Sequence, residues 1–200
     1  LVLRGGVSTP VQETLGAIVP GDGGGVVTLF TNTMLSLGTI AAQTAVSSML
    51  LRGESLGLAG TAASGTAAVG IGTLAVAAGQ GGGANGTTSM SVRPDILGDS
   101  SVGGQGSGFL TRDPVLSVLR PLNPATELLM DAAAYGLSSG TQNAGVFGSQ
   151  SLLANTKLNT LTLLREASLV APAGSPDSLN LSLNAGGLLA LGGSSSLGVP

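Results

Sequence analysis

Near the C-terminus, Leu161-Thr162-Leu163 is followed by Ser168-Leu169-Val170-Ala171, and about twenty residues later Leu181-Ser182-Leu183 is followed by Leu188-Leu189-Ala190-Leu191. Leu161 thus matches Leu181, Leu163 matches Leu183 and Leu169 matches Leu189. Each unit reads as a short strand, a small polar or glycine turn and a second short apolar strand. Repeats of about 20–25 residues built this way are the mark of a coiled chain in which each turn stacks on the one before. The reading is therefore all-β, as a parallel β-helix whose interior is filled by Leu161, Leu163, Leu181 and Leu183 in register.

Upstream the same style recurs between Val26 and about Ala84: Val27-x-Leu29, Leu35-x-Leu37, Leu50-Leu51, Leu56-x-Leu58, Val69-x-Ile71 and Leu74-x-Val76. The alternation turns one set of side chains inward and leaves Ser, Thr, Ala and Gly on the other face. Residues 1–25 are weakly patterned, with a strand expected between Val7 and Val19 and a breaker at Gly21-Asp22-Gly23-Gly24-Gly25. Three parts follow as one continuous solenoid: rungs over 1–89, a looped excursion over 90–136, and rungs again over 137–200. In the excursion the period breaks and prolines 94, 114, 121 and 124 gather. Pro124 to Gly136 is suited to one short helix, with Pro at its start and Gly as its stop.

Composition narrows the function. The 200 residues include no Trp, one Tyr and three Phe, so aliphatic side chains must fill the core that aromatics usually dominate. Seventeen charged residues, with a net charge of −3 and a single lysine, provide no basic stripe for nucleic acid. Without His or Cys the chain has no Ser-His-Asp triad, no Cys-His pair and no ordinary zinc ligand set; no cofactor and no metal are expected. The cysteine-free composition fits an extracellular bacterial setting. The opening at Leu1 and the close at Pro200 in mid-pattern lead us to expect a piece of a longer protein. Leu56 to Ala78 is an uncharged run long enough to cross a bilayer, but its Gly, Ala, Ser and Thr content and missing aromatic anchors favour strand-turn-strand.

The excursion RPDILGDSSVGGQGSGFLTRDPVLSVLRPL (residues 93–122), followed by renewed Leu-x-Leu sequence, resembles the passenger regions of bacterial autotransporter-like surface proteins. The positions that carry the resemblance are Pro94, Asp99, Ser101, Gly108, Phe109, Thr111, Asp113, Arg120, Pro121 and Leu122, then Asn159, Leu161, Leu163, Gly186, Gly187 and Leu188. The family's Gly-Gly-Thr-Leu type repeat is not cleanly present. The resemblance implies a right-handed parallel β-helix at the cell surface or secreted, joined to the outer membrane only through a C-terminal barrel outside this sequence.

Several motifs bear on chemistry. Gly70-Ile-Gly72-Thr-Leu-Ala75 matches a loose dinucleotide fingerprint, but no acid follows at the right distance and a glycine tract takes its place. Asn85-Gly-Thr87 and Asn180-Leu-Ser182 match the glycosylation acceptor pattern and read more simply as turn residues. Asp95 and Asp99, with Arg112 and Asp113 further on, are the one set of acids able to bind calcium or work as acid and base. The expectation is a structural and adhesive stalk segment with no catalysis of its own. Arg93, Asp95, Asp99, Arg112, Asp113 and Arg120 would form its interaction segment, projecting as a lobe anchored by Phe109 and Leu119. Its partners would be host or neighbouring-cell surface molecules or polysaccharide. The alternative is a polysaccharide lyase or hydrolase using the acids of 90–136.

Overall fold

Aliphatic residues alternating with Thr, Ser or Gly take extended form in this chain, as the two-residue period requires. The computed structural model describes residues 1–6, 8–41, 48–63, 65–74, 81–175 and 179–198. It divides into two units, one of residues 1–76 with 95–122 and one of 77–94 with 123–200.

The first unit holds β1 (Val2–Leu3), β2 (Val11–Ile18), β3 (Gly25–Leu29), β4 (Thr33–Ile40), β5 (Met49–Gly53), β6 (Ala67–Ile71), β7 (Arg93–Asp99), β8 (Gly108–Asp113) and β9 (Val118–Pro121). They form one curled mixed sheet in the order β1-β3-β5-β7-β8-β9-β6-β4-β2. Odd strands pair in parallel with odd and even with even, and the antiparallel β8–β9 hairpin joins the two ladders. Leu29, Leu35, Leu51, Val69, Ile96, Leu110 and Leu119 fill the core between them, so the interior is aliphatic as the composition demands.

This corrects the expected right-handed parallel β-helix. A uniform coil needs a near-constant step, yet Val11 lies opposite Thr33 and Thr33 opposite Ala67, steps of 22 and 34 residues, while Met49 lies opposite Ile96, a step of 47. The antiparallel hairpin is incompatible with an all-parallel stack. The segment 90–136 is also not a looped excursion, since it contributes β7, β8 and β9. Its prolines mark strand ends: Pro94 is the second residue of β7, Pro114 follows β8 and Pro121 closes β9. A residue without an N–H is tolerated at those places because it interrupts no ladder. Phe109 and Leu119 are buried as expected, but as members of strands. Leu56 and Leu58 lie in a turn, the first buried and the second exposed; Val76 and the end of the 56–78 run fall outside the described residues. Among the described residues no helix is long and apolar enough to cross a membrane.

The second unit contains two three-stranded parallel sheets. One is β10 (Asn143–Val146), β12 (Thr156–Leu163) and β14 (Leu181–Ala190); the other is β11 (Ser149–Ser151), β13 (Ser168–Val170) and β15 (Ser196–Gly198). The helix expected over 124–136 is shorter and later. Asn123 and Glu127 close a turn, in which Asn123 N–H donates to the Glu127 carboxylate at 2.7 Å, and a 3₁₀ helix spans Ala132–Leu137. So short a segment gains too few intrahelical bonds to stand as an α-helix.

The C-terminal repeat places β12 beside β14 correctly but misreads the register. Thr156 lies opposite Leu181 and Leu161 opposite Leu188, so the step is 25 residues before a bulge and 27 after it. Leu161 and Leu163 are buried, whereas Leu181 and Leu183 are half-buried and pack on the edge of the same cluster. The bulge sits opposite Asn159, where a buried amide ladder takes over from leucine. Asn143 Nδ2 donates to the Met90 carbonyl at 2.9 Å, and Asn143 Oδ1 accepts from Asn159 Nδ2 at 2.8 Å and from the Thr160 hydroxyl at 2.9 Å. Register in a parallel sheet buried on both faces is weakly set by leucines that resemble each other. Polar groups that must find partners set it more strictly.

Two stability outcomes follow. Leu161→Ala removes a fully buried side chain and should cost about 2–5 kcal/mol by chemical denaturation, while Leu181→Ala should cost about 1 kcal/mol. Equal losses would restore the twenty-residue register.

Candidate functional site

The six charged residues of the expected interaction segment are distributed along the β7–β9 region and are engaged there. Arg93 is buried and Asp95 half-buried in β7, and neither is free of partners. Asp99 ends β7 and fastens the loop to β8: one carboxylate oxygen accepts from Ser101 N–H at 2.9 Å and the other from Gly106 N–H at 3.0 Å. A Cβ on Gly104 would strike that carboxylate, which is why glycine is required there. Asp113 does the same for the β8–β9 turn, accepting from Val115 N–H at 2.9 Å and Leu116 N–H at 3.0 Å. Its other oxygen meets Arg120 Nε at 3.3 Å. Arg112 donates from Nε to the Ile71 carbonyl at 2.9 Å and from Nη2 to Ser117 Oγ at 3.0 Å, beside the positive φ of Ser117 (58°).

Asp113 and Arg120 meet, but the six groups form no single cluster. Asp99 lies at the β8 end that begins with Gly108, and Asp113 at the other, so about 17 Å of strand separates the two. Among the described residues no group of three or more acids, His or Cys is placed to hold a metal. Gly70 and Ile71 of the loose dinucleotide pattern lie in β6, in a strand rather than at a helix start, and Ala75 is outside the described residues. Asn85 and Asn180 of the glycosylation patterns are exposed.

A concave feature among the described residues lies elsewhere, in the second unit. A shallow depression of about 440 Å³ opens between the 3₁₀ helix and β11, lined by Met130, Asp131, Ala133, Gln150, Ser151 and Leu153 among others. Gln150 builds it. Its Oε1 accepts from Ala132 N–H at 2.9 Å, and its Nε2 donates to the carbonyls of Met130 at 3.1 Å and Phe147 at 3.3 Å. Asp131 caps the 3₁₀ helix through Oδ1, which accepts from Ala133 N–H at 3.0 Å. Beneath, the Tyr135 hydroxyl donates to the Gly145 carbonyl at 2.7 Å. Burial, with the Asp131 charge a smaller contribution, pushes the tyrosine pKa well above its ordinary value. Sequence reasoning passed over this place because its residues form no motif. The nearest signal in the sequence was Phe147, whose backbone carbonyl accepts from the Gln150 side chain.

Comparison with protein-family models, with curated proteins and with solved structures returns no match.

Two predictions test these assignments. Asp99→Ala frees two backbone N–H groups of the β7–β8 loop and should lower stability by about 1–2 kcal/mol, read by denaturant titration; an unchanged midpoint would remove Asp99 from the scaffold. Tyr135 is the only tyrosine, so ultraviolet absorbance follows it alone. With its folded pKa raised, the neutral hydroxyl's contribution is complete below pH of about 10 and is lost as pH rises further. Phenolate absorbance should therefore appear only together with alkaline unfolding. A smooth titration near pH 10 in the folded protein would place the ring in water.

Proposed function

We propose that the chain is a structural and adhesive segment of a large bacterial surface or secreted protein and performs no catalysis of its own. One observation carries the reading: the charged side chains that a surface enzyme would aim at substrate are turned onto the chain's own turns, as the carboxylates of Asp99 and Asp113 are. Such groups stiffen a scaffold. The aliphatic ladders beneath them supply a rigid support for whatever the surface displays. The resemblance to autotransporter-like passenger regions supports an extracellular or cell-surface location and partners among host-cell molecules, neighbouring-cell molecules or polysaccharide.

The alternative, a lyase or hydrolase drawing on the acids of 90–136, would in its hydrolase form need two carboxyl groups within about 5–9.5 Å of one another. Asp99 and Asp113 do not meet that requirement.

The experiment pairs retention with turnover. The purified chain is immobilised, exposed to cultured cells and to soluble polysaccharides, and assayed for bound material and for new chain ends. Retention without new ends is the expected result. New reducing or unsaturated ends, abolished by Asp99→Asn or Asp113→Asn, would overturn the proposal in favour of the enzyme.

A further inference from the structure

The outer strands of a sheet invite pairing with another chain, and proteins blunt them with short length, charge or cover. In the first unit both outer strands are blunted. β1 is two residues long, and β2 sets Glu13 opposite Leu35 of β4, so a carboxylate stands on the face that holds the core leucines. In the second unit the chain itself covers the first edge. Leu129 bridges Ala144 of β10 and accepts from Gly145 N–H at 3.0 Å, and Gln150 of β11 is bound to Met130 and Ala132.

The last edge of that unit has neither charge nor cover. β14 and β15 end their sheets, and no described residue pairs with their outer sides. β14 runs for ten residues, LSLNAGGLLA, without a charge or a proline. Residues opposite one another in a parallel pair share a face. Leu183 opposite Leu158, Leu188 opposite Leu161 and Leu197 opposite Leu169 are therefore core leucines of a final layer. That layer is open: Leu183 is half-buried, Leu188 is 51% and Leu197 46% exposed, whereas their three partners are buried.

We propose that this edge is a two-fold interface at which a second copy of the chain pairs, β14 with β14 and β15 with β15, both antiparallel. Three observations select that occupant. β14 and β15 carry no charge, so two copies with a net −3 each meet along a long edge without like charges facing one another. β14 also matches itself. A two-fold axis through its bulge at 184–186 sets Leu183 of one copy opposite Leu188 of the other, leucine on leucine on the core side, with the two bulges together at the axis. Head-to-tail pairing onto β2 would instead bury the Glu13 carboxylate among leucines. Size agrees as well. An end ten residues long and two sheets deep measures about 33 Å by about 20 Å. That is roughly 600 Å² per copy, in the lower part of the range for specific interfaces.

Sedimentation equilibrium of the full chain over micromolar concentrations, at low and at high salt, tests the interface. The expected result is a reversible monomer–dimer equilibrium that salt does not weaken, since no charged pair contributes to it. Leu188→Lys should weaken the dimer about tenfold or more. Leu197→Lys should weaken it too, and carries the test if Leu188→Lys does not fold. Leu15→Lys, on the β2 edge, should leave association unchanged. All three side chains are exposed in the single chain, so each variant should melt as the parent does at concentrations where the parent is monomeric. A monomer at every concentration would leave the edge to a strand from elsewhere and overturn the second copy. A dimer indifferent to both Leu188→Lys and Leu197→Lys, or one lost with Leu15→Lys, would overturn the site. Open-ended oligomers would overturn the two-fold, since they require a head-to-tail contact.

Discussion

The first unit depends on the pairing of β9 with β8 on one side and with β6 on the other. Parallel strands satisfy each other's backbone groups only toward their neighbours, so each growing ladder ends on an open row of donors and acceptors. In this unit the odd ladder would end at β7 and the even ladder at β6. The β8–β9 hairpin occupies both ends and makes one sheet of the two. Its own turn must hold a non-glycine residue, Ser117, at positive φ, and Asp113 and Arg112 secure that turn from either side. Scarce charges are thereby concentrated where the backbone is most demanding.

The same economy operates in the second unit with neutral groups. Leucines that resemble each other cannot choose among registers, and the amide ladder of Asn143, Asn159 and Thr160 ties β10 to β12. Its last acceptor, Asn159 Oδ1, is buried and has no partner, opposite the bulge of β14. A buried acceptor without a partner is costly, so here the network sets register at some expense in stability.

Strand content and the aliphatic core were legible from alternation, since a period of two leaves a clear trace in Val27-x-Leu29, Leu35-x-Leu37 and Val69-x-Ile71. The parallel neighbourhood of β12 and β14 was legible as well. Topology was not. Proline was read as a loop residue, although at Pro94, Pro114 and Pro121 it sits where a strand starts or stops, and a one-dimensional pattern does not distinguish those cases. The candidate site was missed for a related reason. Asp99 and Asp113 are conspicuous in sequence because charges are rare, but rarity marks the turns that need them. The depression at Gln150 is assembled from segments some twenty residues apart, Met130–Ala133 and Gln150–Leu153, with no shared motif.

Amide hydrogen exchange over residues 108–121 tests the central claim most directly. If the hairpin joins the two ladders, the amides of Leu110, Thr111, Leu119 and Arg120 exchange as slowly as those of Leu35 and Leu51 in the same core. Exchange of 108–121 at the rate of an exposed loop, with β4 and β5 still protected, would contradict the account and return the segment to a projecting lobe.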